Sequence, residues 1–271
     1  MKKNVRAMTE CSIMVALSTV LSILKILELP YGGSVTVASA LPVAIAVYRH
    51  GGAWGFGTAL VNAMIQMLLG ASTFSYFSTW QSLLALAVFD YVLAFVAFAL
   101  VGVFKRVEKR QNMAMLFGVL LASVIRYLCH VISGATIWAG LSIPSEAALI
   151  YSLSYNATYM VPETIILALV TVYITSAIDF TRDIPTRIPT RALDKAEAYG
   201  YLGAGFSLLV GLIVATVLVF RELQDPDSGE FVITNIKNVN GVALLIVALV
   251  TLALCAACVV FARLRRARVQ K

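Results

Sequence analysis

A chain of 271 residues that is 60% hydrophobic and 13% charged, with a mean hydropathy of +0.88, lies outside the range of soluble domains, which average about 45–50% apolar and about 25% charged residues. The composition excludes an ordinary soluble enzyme or binding module and defines an integral membrane protein. The net charge of +7 is not a nucleic-acid signal, because the basic residues cluster at the ends of apolar runs, where they orient a chain beside anionic lipid.

About 20 apolar residues cross a bilayer as a helix. Eight runs are read as spans, near residues 8–27, 36–49, 52–70, 79–104, 112–140, 146–178, 198–220 and 240–263; the second is short, and the fifth and sixth are long. The continuous apolar runs exclude a β-barrel, whose strands alternate. The fold class is therefore all-α and membrane-embedded, with six helices followed by two more. Lys2–Arg6 before the first run resembles the start of a signal peptide, but no small-residue cleavage site follows, so an uncleaved first helix is expected. Ser12-x-x-x-Ala16 on that helix is a small-xxx-small pattern that lets another helix approach closely. Tyr31-Gly-Gly-Ser-Val-Thr-Val37 reads either as a lid over an outward-facing pocket or as a plain tight turn. Pro42 and Pro162 sit inside apolar runs, where neighbouring groups must satisfy the freed carbonyls.

With the N-terminus cytoplasmic, all but Lys25, Arg126, Arg221 and Lys237 of the 21 lysines and arginines fall in cytoplasmic pieces. Both termini then lie in the cytoplasm, as the positive-inside rule requires of a cell-membrane protein. The division of the chain follows: residues 1–178 carry six spans with polar residues inside them, 179–197 read as a cytoplasmic linker, and 198–271 form a two-helix extension with a basic tail. Its two helices are nearly featureless and are joined by an acidic loop holding Glu222, Asp225, Asp227 and Glu230. Cys11, Cys129, Cys255 and Cys258 all lie within spans, which argues against a disulfide framework and leaves Cys255-x-x-Cys258 without a redox context.

The polar residues inside spans carry the functional signal. A charge at the bilayer centre costs about 2.5–3.5 kcal/mol on insertion scales, so Asp90 and Tyr91 in the fourth span and Arg126 and His130 in the fifth point to a lined cavity. Asp90 needs a partner: Arg126, His130 or a cationic ligand. His130, Gly134 and Trp138 recur every four residues along one helix face, and Gly134 opens space for a flat ring. The sixth span opens with Tyr151, Asn156 and Tyr159; Asn156 can read the edge of a heterocycle through its donors and acceptors. Glu163, after Pro162, reads as a satisfied structural carboxylate or as a buried proton carrier. Carboxylate and aromatic faces together suit a cation, through attraction that reaches about 2 kcal/mol when desolvated. No glycine is followed by lysine, so the chain has no phosphate-binding loop and no ATPase of its own. No catalytic motif is visible, and neither cofactor nor metal is implied.

These residues resemble the thiamine-specific substrate-binding (S) components of energy-coupling factor transporters. The resemblance is carried by Gly32-Gly-Ser-Val-Thr, Asp90-Tyr-Val-Leu-Ala-Phe95, Arg126-Tyr-x-x-His130-Val-Ile-Ser-Gly134 and Tyr151-Ser-Leu-x-Tyr-Asn156-Ala-Thr-Tyr-Met-Val-Pro162, and runs through about residues 8–178. It implies a thiamine-binding subunit with no enzymatic activity. Asp90, Tyr91, His130, Gly134, Trp138, Tyr151 and Asn156 would line the site. Ser12 and Ala16 would dock onto a transmembrane coupling subunit that carries two ABC ATPases, and Tyr31 would supply a loop aromatic. On this reading Trp138 and His130 stack on the ligand, while Tyr151 and Asn156 bond its edges. The alternatives are an S component for another cationic heterocyclic vitamin or a thiamine precursor, a proton-coupled secondary transporter using Glu163 or Asp90, and an intramembrane enzyme using Asp90 and His130. The resemblance says nothing about the last two helices.

Overall fold

A computed structural model describes residues 2–29, 32–139, 148–189, 195–223 and 233–269. Tyr31, Arg191 and the loop acids Asp225, Asp227 and Glu230 lie outside the described residues. The chain forms two compact units, Met1–Pro189 and Thr190–Lys271.

The first unit begins with α1 (Lys2–Ile23), an antiparallel hairpin of β1 (Lys25–Glu28) and β2 (Ser34–Thr36), and α2 (Leu41–His50). It continues with α3 (Gly52–Leu69), a 3-10 turn at Ala71–Tyr76, α4 (Trp80–Arg106), α5 (Gln111–Thr136) and α6 (Ala148–Ala177). Strands β3 (Ile178–Asp179) and β4 (Thr186–Arg187) then pair antiparallel. The second unit holds α7 (Lys195–Leu223), a 3-10 turn at Ile233–Asn238 and α8 (Gly241–Val269).

Among the described residues seven helices are long and apolar enough to cross a membrane: all but α2. The expected second span is thus corrected. Thr36 falls in β2, residues 37–40 form a turn, and the ten-residue helix Leu41–His50 covers only about 15 Å at ~1.5 Å per residue. The run is apolar because protein surrounds it. Every residue from Leu41 to Tyr48 is buried, and Val43 and Val47 pack in one cluster with Phe98 and Val101 of α4, Met115 and Val119 of α5 and Leu167 of α6. Pro42 sits in the first turn of α2 rather than mid-helix, where its missing N–H is not needed. Gly51 and Gly52, at φ 51° and 48°, turn the chain sharply from α2 into α3 in a backbone region that costs glycine little.

α4 starts at Thr79, whose hydroxyl caps the Ser82 N–H. The helix is not uniform: Ala87–Leu93 is π-helical and Ala97–Arg106 is 3-10. Gly118 of α5 lies directly on the Val101 backbone, leaving no room for a Cβ, so α4 and α5 meet at backbone distance as small residues permit in membranes.

The far end of the unit is tied by charge. Glu10 of α1 accepts from Arg6 at 2.8 Å and from Arg49 at 2.9 Å, and His50 Nε2 lies 2.8 Å from it. Arg49 also donates to the carbonyls of Phe180, Arg182 and Asp183. The Gln111 side chain donates to the carbonyls of Thr175 and Ile178 and accepts from the Phe180 N–H. The early part of the stretch read as a linker is therefore bonded to α2 and α5 of the first unit.

In the second unit α7 and α8 pack through small residues. A Cβ on Gly200 would stand 2.8 Å from Ala262, and one on Gly203 3.2 Å from Cys258 Sγ, while Gly211 faces Thr251.

Candidate ligand cavity

The ends of α1 and α3, the β1–β2 hairpin, the 3-10 turn at Ala71–Tyr76, the middle of α4, the C-terminal half of α5 and the N-terminal half of α6 line a cavity of about 490 Å³. Asp90, Tyr91, His130, Gly134, Trp138, Tyr151 and Asn156 all line it. Ser12 and Ala16 do not; they are exposed one turn apart on α1.

The hairpin forms one wall. Gly32 holds φ +100°, and a Cβ on Gly33 would stand 2.9 Å from the Tyr159 ring and 3.0 Å from the Tyr155 hydroxyl. The turn therefore lies flat on α6, and two consecutive glycines are what permit it. At the rim Lys25 is bonded to Glu28 at 2.6 Å.

Two acids organise the interior. Asp90 comes from the π-helical part of α4, an uncommon backbone found often at functional sites. Its Oδ1 lies 2.9 Å from His130 Nδ1; its Oδ2 accepts from Ser133 Oγ at 2.6 Å and Trp138 Nε1 at 3.2 Å. Of the two protein partners expected for Asp90, His130 is the one present. Arg126 instead donates to Glu163 at 2.8 Å and stacks its guanidinium 4.7 Å from the Phe95 centroid. Glu163 also accepts from Thr36 Oγ1 at 2.9 Å, joining α5, α6 and the hairpin. These bonds fit the satisfied structural carboxylate, one of the two readings offered for Glu163. Thr36 passes the network to Ser39 Oγ, and Ser18 of α1 donates to the Ser39 carbonyl and to Asn62.

The aromatic and amide groups are more committed than the sequence suggested. Trp138 spends its indole N–H on Asp90 and packs edge-on against Phe77 at 4.8 Å. Tyr91 shares a hydrogen bond with Thr73, donates to the Gly70 carbonyl and stacks on Phe74. Asn156 donates to the Ser152 carbonyl and, at 3.3 Å, to that of His130, and accepts from Tyr159 at 2.6 Å. Asn156 Oδ1 keeps one lone pair, so a ligand would meet it mainly as an acceptor.

Among the described residues three buried side-chain atoms lack a partner, and two belong to cavity residues: His130 Nε2 and Arg126 Nε. Buried polar atoms are nearly always hydrogen-bonded; these two are exceptions, on residues that line the cavity. Ser133 and Phe77, which hold the two key side chains, carried no signal as isolated residues in the sequence.

The fold and the cavity define a helical membrane protein with a polar, aromatic-lined chamber walled on one side by a hairpin, an architecture suited to carrying a solute. The chain belongs to the thiamine transporter protein family (Thia_YuaJ), whose model matches residues 8–181. It is 33% identical over 179 residues to the thiamine transporter ThiT of Bacillus subtilis (strain 168), covering 62% of this chain and 89% of that protein. A solved structure of ThiT from Listeria monocytogenes matches with a TM-score of 0.48 at 20% identity, covering 64% of this chain and 92% of that one. The family is one of transporters and not of enzymes.

Proposed function

We propose that this chain is the high-affinity thiamine-binding subunit of an importer of the energy-coupling factor type. Residues 1–178 form the substrate-binding domain, 179–197 a cytoplasmic linker and 198–271 an appended helical pair. The protein resides in the cell membrane with both termini cytoplasmic, and a separate transmembrane coupling subunit with two ABC ATPases energises it. Ser12 and Ala16 present the docking stripe of α1; their exposure four residues apart supports this.

The observation that carries the reading is the pairing of a thiamine-family chain with a cavity whose acid, Asp90, adjoins an unpartnered His130 Nε2. Thiamine brings a permanently cationic thiazolium, an aminopyrimidine with donors and ring acceptors, and a hydroxyethyl tail. The Asp90 end suits the amine and the positive charge. The hydroxyl-rich wall of Ser34, Thr36, Ser39 and Thr73 suits the alcohol. Several buried polar groups satisfied together discriminate strongly against analogues that leave one of them unpaired. The Arg126–Glu163 bond gives Glu163 a structural role, so no observation favours proton-coupled transport.

Isothermal calorimetry on the detergent-purified chain tests the proposal. One thiamine should bind tightly, and mass spectrometry of the protein as purified should find the vitamin. Absence of heat with thiamine refutes it. Uptake by vesicles containing this chain alone, without added ATPase subunits, refutes the division of labour.

A further inference from the structure

The geometry around Asp90 limits what a ligand can do with it. A carboxylate offers about four lone-pair sites. Ser133 Oγ, at 2.6 Å, and Trp138 Nε1, at 3.2 Å, occupy Oδ2, and His130 Nδ1, at 2.9 Å, occupies one site on Oδ1. A single acceptor site remains, on Oδ1, the oxygen that faces the His130 ring. That ring's other nitrogen, Nε2, is buried and unpartnered. In a ring whose Nδ1–H donates to a carboxylate, the neutral tautomer leaves Nε2 an acceptor.

Ser133 is fully buried, does not line the cavity, and directs its hydroxyl at Asp90. It sits one turn of α5 beyond His130, so one helix face delivers both groups to the two oxygens of the same carboxyl. Asp90 itself rides on the π-helical turn Ala87–Leu93. There the side-chain azimuth departs from that of the α-helical rows on either side, so bonds to α5 fix its direction.

We infer that Ser133 is a positioning residue for ligand selection: by filling Oδ2 it fixes the carboxyl and leaves Asp90 one acceptor site, on Oδ1, held in one direction for a single ligand N–H. The inference rests on the thiamine-binding function proposed above. It assigns the Asp90 end of the cavity to the exocyclic amine of the pyrimidine, since a thiazolium has charge but no N–H to offer. Without Ser133 the carboxyl gains a free site and can turn. Its acceptor sites are then no longer held toward the amine, and the advantage of a ligand that carries the amine shrinks.

Calorimetric titration with thiamine and with its 4′-desamino analogue, which has the same thiazolium charge but hydrogen in place of the amine, reads this directly. For the unsubstituted chain thiamine should bind the tighter by a factor of about 10⁴, the scale at which a site with buried polar groups rejects an analogue missing its partner. Ser133→Ala should weaken thiamine about tenfold while changing the analogue about twofold or less, as expected for loss of one hydrogen bond to a charged group. The selectivity ratio then shrinks, and Ser133→Thr, which keeps the hydroxyl, should restore it. A merely structural serine would lower both affinities together. Equal losses for the two ligands, or a ratio unchanged in Ser133→Ala, overturn the inference while leaving thiamine binding standing. Failure of the unsubstituted chain to bind thiamine removes the proposed function, and this inference with it.

Discussion

Breaking the Arg126–Glu163 pair should destabilise the protein sharply, and removing both partners should not. Their contact is 2.8 Å between side chains only 14% and 8% exposed. At an effective dielectric of about 20 the gross attraction over that distance is about 6 kcal/mol, much of it offset by the cost of burying two ions. Glu163→Leu takes away that attraction and leaves Arg126 with only the Phe95 ring and with its already unpartnered Nε. An orphaned buried charge of this kind costs about 3–5 kcal/mol. Adding Arg126→Met removes the orphan, and volume-matched apolar replacement of a buried pair is often neutral or stabilising. Thermal unfolding of the detergent-purified, ligand-free protein, followed by tryptophan fluorescence, should show a large fall for Glu163→Leu and recovery to within about 1 kcal/mol in the double variant. A single variant as stable as the parent, or a double variant that simply adds the two losses, refutes the pairing argument.

Asp90→Asn puts an amide where Ser133 and Trp138 both donate and removes the charge, so thiamine affinity should fall by about 2 kcal/mol or more; unchanged affinity in a binding titration contradicts the role. Gly33→Ala forces a methyl to within 2.9 Å of the buried Tyr159 ring, which should lift the hairpin from α6 and weaken thiamine binding about tenfold, whereas full affinity would mean the hairpin does not close the site. Gly118→Leu drives a side chain into the Val101 backbone and should separate α4 from α5, lowering thermal stability by about 1–3 kcal/mol or more as overpacking does; a stability matching the parent's counts against the close approach. Arg49→Met releases three carbonyls of the 180–183 segment, and limited trypsin digestion should cut after Arg182 faster than in the parent, while equal rates would show that Arg49 does not hold the segment.

Hydropathy made the long helices legible because a bilayer obliges each span to satisfy its own backbone bonds, leaving a continuous apolar run as the trace. The same rule misread residues 36–49. Burial by protein and burial by lipid select the same side chains, and only the packing of Val43 and Val47 against α4, α5 and α6 distinguishes them. The polar residues that line the cavity were legible for a related reason. Asp90, Arg126 and His130 are costly in hydrocarbon, so their presence within apolar runs is itself the mark of a cavity.

Which groups meet within that cavity was another matter. Arg126 had two acids within the neighbouring spans, and it took the fold to give it Glu163 and leave Asp90 to His130. Ser133 in an apolar helix looks like any small packing residue until α4 brings a carboxyl to its hydroxyl. The π-helical turn that carries Asp90 leaves no mark in composition or periodicity. The sequence by itself determined the class, the long spans and the set of polar residues, since each follows from what one segment costs in a membrane. Partner choice and the free lone pairs depend on how helices meet, and only the tertiary structure decided those.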